Sequence, residues 1–178
     1  MKEMLGKALA CLRAAGLNPQ IDSFEDRLKI QKGVYLLQKL GVQTGFSYGL
    51  YVHGPYSPNL AKCLFEHQQE LDKLGASYHL IEKEQEAAKR LSEIEFKQNL
   101  LEIISTYLCL NLDLHYSAED SLKRLREIKS FMPESDLAVG VSKAKQLMFK
   151  PTHEELEELK KELLLWDKAS DETLAKAV

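Results

Sequence analysis

Apolar residues recur every three or four positions along most of the chain, and this spacing limits the possible folds more than any other feature. Such a period places apolar side chains on one face of an α-helix. It predicts a first helix over residues 2–15. A second begins near Ser23, which has capping-box spacing to Asp26, and Gly41 ends it. The apolar face predicted for this second helix comprises Phe24, Leu28, Val34, Tyr35, Leu37 and Leu40.

Residues 42–57 interrupt the helical period with three glycines. Apolar and small residues alternate over 46–52, which predicts a short extended strand. The hydroxyl of Ser57 can then cap a third helix, predicted from Pro58 to Leu74, because proline suits the first helical position. Gly75 is expected to end that helix.

The second half is also predicted to be helical. A short strand is expected over 77–81, and the segment 94–114 is apolar on several faces, which is typical of a helix at the centre of a molecule. Further predicted features are a helix from Glu82, a capping pair at Ser92 and Glu95, a helix from Ser117 (capped with Asp120) to Pro133, and a helix over 135–149 weakened by Gly140. The predicted fold class is mainly α: a winged-helix-like N-terminal half, residues 1–91, with a short β element, and a helical C-terminal half, residues 92–178. A single domain is the alternative.

A last helix is predicted from Pro151. Its apolar residues repeat at coiled-coil spacing over about two heptads, fewer than a firm coiled-coil assignment requires. The helix therefore either docks on its own domain or forms a homodimer contact. The residues of this repeat are Leu156, Leu159, Leu163 and Trp166.

Composition excludes several classes of protein. The net charge is −3, and residues 1–75 carry nine basic and seven acidic residues, so no strongly basic body is available to bind nucleic acid by charge alone. No apolar run reaches the length of a membrane span, and the N-terminus does not resemble a signal peptide. The three cysteines are far apart on predicted apolar faces, as expected for buried thiols in the cytoplasm.

Sequence motifs for catalysis or for a cofactor are not recognised. The five histidines are scattered without zinc-site spacing, and the glycines of 45–54 are not followed by a phosphate-loop lysine. Carboxylate runs such as 82–86 are typical of solvated helix faces. We therefore expect no metal, no cofactor and no enzymatic activity.

One segment, residues 27–64, has a recognisable pattern. It reads Leu-x-x-Gln-Lys-x-x-Tyr-Leu-Leu, then a glycine turn, then Tyr-x-x-Gly-Pro-Tyr-Ser-x-x-Leu. This pattern resembles the YwgA-type bacterial and archaeal proteins and, more loosely, the SocA-like or Panacea antitoxin domain. The residues that carry the resemblance are Lys32, Tyr35, Gly54, Pro55, Tyr56 and Ser57.

The resemblance implies a helical domain that acts by gripping another protein, either a toxin or a client delivered to a protease. From the residues alone, Lys32 lies one turn from Lys29 on the predicted polar face, whereas Tyr35 points to the apolar side. The turn that contains Tyr56 is either a packing element or part of a binding surface, and its spacing does not separate the two. The candidate binding residues are Lys32, Tyr35, His53, Tyr56 and Ser57.

The main rival is a winged-helix DNA-binding regulator, with the third helix in the major groove. That face carries Asn59, Lys62 and Gln68, which have few basic neighbours to contact phosphates. The best basic cluster is elsewhere, at Lys123, Arg124, Arg126 and Lys129. A protein partner therefore ranks above DNA and an enzyme third, and charge reversal in the basic cluster is predicted to leave partner binding intact.

Overall fold

The computed structural model describes residues 1–149. Within that range the chain forms eight α-helices, one two-stranded antiparallel sheet and one π-helical turn. The elements in order are α1 (Lys2–Ala14), α2 (Phe24–Lys39), β1 (Gly49–Tyr51), β2 (Gly54–Tyr56), α3 (Pro58–Glu66), α4 (Leu71–Ser77), α5 (Glu82–Ser92), α6 (Gln98–Leu108), the π turn (Cys109–Asp113), α7 (Ala118–Ile128) and α8 (Glu134–Met148).

Capping residues explain where the helices begin. The Ser23 hydroxyl accepts a hydrogen bond from the Asp26 backbone N–H at 3.0 Å, while the Asp26 carboxylate accepts one from the Ser23 N–H at 3.1 Å, which confirms the predicted capping box of α2. Ser117 caps α7: its hydroxyl accepts from the Asp120 N–H at 3.0 Å and donates to the Asp120 carboxylate at 2.7 Å. At the start of α3, the Ser57 hydroxyl accepts from the Leu60 N–H at 3.3 Å.

The predicted strand is confirmed but is shorter and forms a hairpin. Gly49 pairs with Tyr56, and Tyr51 with Gly54, so only Val52 and His53 lie in the turn. Gly54 has φ +91°, and a Cβ there would lie 2.4 Å from the Thr106 hydroxyl. Glycine is thus required both by the backbone conformation and by the close approach of α6. The three helices and the strand pair of the winged-helix interpretation are present, with the hairpin between α2 and α3.

The prediction of one helix from Pro58 to Leu74 is wrong. The helix stops at Glu66, and α4 begins at Leu71, because the intervening residues are polar and have no apolar side chain to bury. Gly75 does not end a helix but lies within α4, where a Cβ would come 3.3 Å from Leu9 of α1. The glycine thus permits close packing of α4 on α1.

Two local predictions in the next segment are also wrong. Residues 78–81 form no strand and lead directly into α5, which begins at Glu82 as predicted. Ser92 does not cap a helix: it is the last residue of α5, and its hydroxyl donates to the Lys89 carbonyl at 2.6 Å. The following helix instead begins after Lys97.

Helix α6 lies in the interior, as the apolar segment 94–114 predicted, and packs against α2 and α8. Gly140 of α8 faces Ile103 of α6, where a Cβ would fall 2.3 Å from the Ile103 Cγ2. Gly140 does not end α8, which runs from Glu134 to Met148; it lets the two helices approach closely. The one apolar core spans both sides of the predicted boundary at residues 91 and 92, and residues 1–148 form one compact unit.

The mainly α fold class, with its small sheet in the N-terminal half, is therefore confirmed. In the part of the chain that the structure describes, no helix is long and apolar enough to cross a membrane. All three cysteines are buried and free, and burial raises the pKa of Cys11 to about 12. The predicted coiled-coil repeat at Leu156, Leu159, Leu163 and Trp166 lies outside the described residues.

Candidate functional site

A groove of about 420 Å³ lies between the first half of α2, the hairpin and α3. This volume is within the range of about 300–1,000 Å³ usual for ligand pockets. Its lining is mainly apolar and includes no aspartate or glutamate. The lining residues are Phe24, Arg27, Leu28, Gln31, Lys32, Tyr51, Val52, His53, Gly54, Tyr56, Ala61, Leu64 and Phe65.

Five large apolar side chains of this groove are exposed, and Val52 is the most exposed at 78%. Tyr51 packs edge-on against Tyr56 with 5.4 Å between ring centroids, and Phe24 packs in the same way against His53 at 5.4 Å. Contiguous exposed apolar surface of this kind typically marks an interaction site. The five residues, which we call the rim, are Phe24, Tyr51, Val52, Tyr56 and Phe65.

The second half of the hairpin is fixed by two consecutive side chains of α2. Gln31 donates to the Ser57 carbonyl at 3.0 Å and accepts from the Ser57 N–H at 3.0 Å. Lys32 donates from Nζ to the Pro55 carbonyl at 2.7 Å. Both side chains are buried, so the Gln-Lys pair of α2 and the Gly-Pro-Tyr-Ser turn form one structural unit.

The turn of the hairpin is fixed from the opposite side by α6 and α7. Lys129 is 0% exposed and donates both to the Val52 carbonyl at 3.2 Å and to the Glu102 carboxylate at 2.7 Å. The other oxygen of Glu102 accepts from Gln98 at 3.1 Å and lies 3.2 Å from His53 Nδ1. Two buried lysines, Lys32 in α2 and Lys129 directly after α7, therefore hold the same wall of the groove.

The two buried lysines differ in their electrostatic partners. Burial alone raises the pKa of Glu102, but hydrogen bonds from Lys129 and Gln98 outweigh it and hold this pKa below its usual value of 4.5. Lys32 has no carboxylate within ion-pair distance among the described residues. Burial is the main cause that lowers the pKa of Lys32 to about 8; the charge of Glu102 opposes this shift and that of Lys129 adds to it.

The candidate binding residues do not all lie together. Lys32, His53 and Tyr56 line the groove, whereas Ser57 is buried beneath it as a capping and anchoring residue. The placement of Lys32 on a polar face is wrong: the side chain is 2% exposed, because the Pro55 carbonyl and the hairpin cover it.

Tyr35 is buried, as its predicted apolar direction requires, but it does not line the groove. Its hydroxyl donates to the Asp113 carboxylate in the π turn at 2.7 Å, and burial together with this bond raises the pKa of Tyr35 well above its usual range. Lys39 also pairs with Asp113. This cluster fastens α2 to the π turn.

The residues of the DNA-binding alternative do not form one basic face. Asn59 and Lys62 are exposed on α3, where the Lys62 ammonium lies 3.8 Å from Glu66, but Gln68 lies in the turn after the helix. A helix of nine residues with its strongest cation paired makes a poor partner for phosphates.

The basic cluster on α7 is also largely neutralised. Arg124 pairs with Glu127 at 2.7 Å and Arg126 with Glu134 at 3.0 Å, which leaves Lys123 exposed. The inclusion of Lys129 in this cluster is wrong, because its ammonium is buried against Glu102.

Sequence reasoning missed several of the residues that build or support the groove. Phe24 was expected to face the core, yet it is exposed on the rim because it is the first residue of α2. Glu102 and Lys129 were not connected, although a carboxylate inside a helix that is otherwise apolar is a usable signal of a buried cationic partner. The partner itself, 27 residues away, could not be identified from spacing.

Within residues 1–149, no three histidine, cysteine or acidic side chains are grouped to hold a metal ion. Comparison of the chain with protein-family models, with curated proteins and with solved structures found no match.

Proposed function

We propose that the chain is a non-enzymatic protein-interaction protein of the cytoplasm, antitoxin-like or adaptor-like, that binds a segment of a partner protein in the groove. The observation that carries this proposal is the rim of five exposed apolar side chains around a concave surface. Aromatic residues in such a position are the usual anchors of protein interfaces, since they bury a large area with few rotatable bonds.

The support of the groove wall strengthens the proposal. Gln31 and Lys32 hold one part of the hairpin and Lys129 holds its turn, so the wall keeps its position before any partner arrives. A preorganised surface loses less conformational entropy on binding, and more of its contact energy therefore appears as affinity. A hairpin that served only as a connection between helices would not require two buried lysines.

The resemblance to YwgA-type and SocA-like proteins also favours this function, and the geometry divides its motif into two roles. Lys32, Gly54, Pro55 and Ser57 support the wall, whereas Tyr56 lies on the rim. Tyr51 is also a motif position and Val52 a variable position within the motif, whereas Phe24 and Phe65 lie outside residues 27–64. We therefore propose that the motif builds the groove and that the rim selects the partner.

The test is a tagged pull-down of the full chain from the organism that encodes it, with and without nuclease, read by mass spectrometry. The groove variant is Phe24→Ala with Phe65→Ala, and the matched control is Tyr116→Ala with Val139→Ala, which are exposed outside the groove. We expect a stoichiometric partner that survives nuclease, is retained by the control and is lost by the groove variant.

Two results would contradict the proposal. If the groove variant and the wild type bind the partner equally, binding does not depend on the groove. Partners lost on nuclease treatment would identify nucleic acid as the ligand and favour the winged-helix regulator.

A further inference from the structure

Lys32 is a buried cation that lines the groove without a counter-ion in contact. Its ammonium makes one hydrogen bond, to the neutral carbonyl of Pro55, although it has three protons to donate. The nearest candidate carboxylate, Glu102, is occupied by Lys129 at 2.7 Å and by Gln98 at 3.1 Å. A buried ammonium that has unused donors and no contacting anion is unfavourable unless a ligand supplies an acceptor or a counter-ion.

Arg27 is the second cation of the groove and is also incompletely used. One guanidinium nitrogen donates to the Ile21 carbonyl at 2.8 Å, and the group lies 5.9 Å from the centroid of the Phe65 ring. The guanidinium has five donors, so most remain available to a ligand. No aspartate or glutamate lines the groove to neutralise either cation.

From these charges we infer that the groove receives an acidic-apolar segment of the partner protein, with one carboxylate side chain pairing with Arg27 and a second balancing the charge of the buried Lys32 from within the groove. The inference rests on the proposed function and specifies its partner. Lys32 lies five positions after Arg27 on α2, a rise of about 7.5 Å along the helix axis, so two acidic side chains of an extended segment suit the pair better than a single chain-terminal carboxylate. Apolar side chains between the two acids would cover the rim.

The pairing is favourable because the groove is poorly solvated. Charge-assisted hydrogen bonds are shorter and stronger than neutral ones, and an incoming carboxylate would replace the missing counter-ion of Lys32. The bases of a nucleic acid can also stack on aromatic rings, but its row of phosphates requires a row of cations, and the groove lining supplies only Arg27 and the buried Lys32.

The first experiment uses a phage-displayed library of random twelve-residue peptides, selected at pH 7 on the immobilised full chain. Clones are kept only if they bind the wild type and not the Phe24→Ala, Phe65→Ala variant. We expect the kept peptides to be enriched in both aromatic or aliphatic residues and Asp or Glu.

The outcomes distinguish the inference from the proposed function. Groove-dependent peptides that are neutral or basic would overturn the inference and leave the proposed function standing. If no groove-dependent peptide is recovered, both fail.

The second experiment titrates the best peptide calorimetrically. Replacing its acidic residues by the amides is expected to weaken binding to the wild type by about ten- to a hundredfold, the range of a charge-assisted hydrogen bond. Arg27→Gln should lose roughly tenfold by the same argument. Lys62→Gln, an exposed cation of α3 outside the groove lining, is the control and should bind as the wild type does. Equal binding of the acidic and amide peptides would overturn the inference.

Discussion

Lys129 and Lys32 are both buried lysines that donate to hairpin carbonyls, yet their replacement by methionine should have different effects. Lys129→Met removes the cation that neutralises Glu102, so a carboxylate remains buried with only Gln98 and His53 beside it. Lys32→Met removes a cation that has no counter-ion in contact, so no buried charge is left uncompensated.

The size of each loss follows from these contacts. Removing one partner of a buried ion pair costs about 3–5 kcal/mol, which we expect for Lys129→Met. Lys32→Met should cost no more than about 2 kcal/mol, because only the bond to the Pro55 carbonyl is lost and the desolvated ammonium disappears with it. Adding Glu102→Gln to Lys129→Met should recover most of the larger loss, since the double variant carries no buried charge at that position.

The pH dependence of folding stability independently checks the direction of the Glu102 pKa shift in the wild type and in the variant. In the wild type the pKa of Glu102 in the folded protein is below its usual 4.5, so the associated stability is present above that pH and is lost as the pH falls through the folded pKa. In Lys129→Met burial dominates and the folded pKa rises above 4.5. This variant should therefore gain stability as the pH falls, and its deficit against the wild type should shrink between pH 7 and about 4.

The assay is urea denaturation followed by far-ultraviolet circular dichroism, repeated across that pH range. Lys123→Met, at an exposed lysine of α7, the helix that precedes Lys129, is the control and should change stability by less than about 0.5 kcal/mol. A loss below about 1 kcal/mol for Lys129→Met would place the pair among surface ion pairs and refute the reasoning. So would a double variant no more stable than the single one.

Two further predictions concern close contacts of the fold. Gln31→Leu leaves the buried N–H of Ser57 without a partner and should cost about 1–3 kcal/mol, with faster hydrogen exchange at that amide; an unchanged exchange rate would contradict the anchoring role. Gly140→Ala favours helix formation but overlaps with Ile103, so it should lower stability by about 1–3 kcal/mol in urea denaturation, and a gain in stability would show that α6 and α8 can separate freely.

Local signals predicted much of the fold. The pairs Ser23–Asp26 and Ser117–Asp120 mark helix starts because their hydrogen bonds close within three residues. Ser92 has the same spacing to an acid, but it is the last residue of α5, and its hydroxyl donates to the Lys89 carbonyl instead of capping a new helix. The break between α3 and α4 was missed because no glycine or proline marks it, and only the absence of an apolar face over 67–70 favours a turn.

The groove was less predictable, because contacts between distant residues determine it. On a helical wheel Lys32 lies near Lys29 and is expected in water; the covering Pro55 carbonyl lies 23 residues further on. From the sequence, Lys129 is expected to be one of several exposed cations. It is buried because α7 packs against α6, which places its ammonium beside Glu102. Sequence spacing describes one helix at a time, and these burials depend on which helices meet.

The support of the hairpin from both halves of the chain has a consequence for the order of assembly. The contact between Lys129 and Val52 joins residues 77 positions apart, so it must form after a long loop has closed. Helix α2 has its own cap and can form early, but the turn beside it gains its last anchor only when α7 arrives. A nascent or truncated chain that lacks residue 129 would thus carry every lining residue of the groove but not this anchor of its turn, and we expect it to bind the partner more weakly than the full chain does.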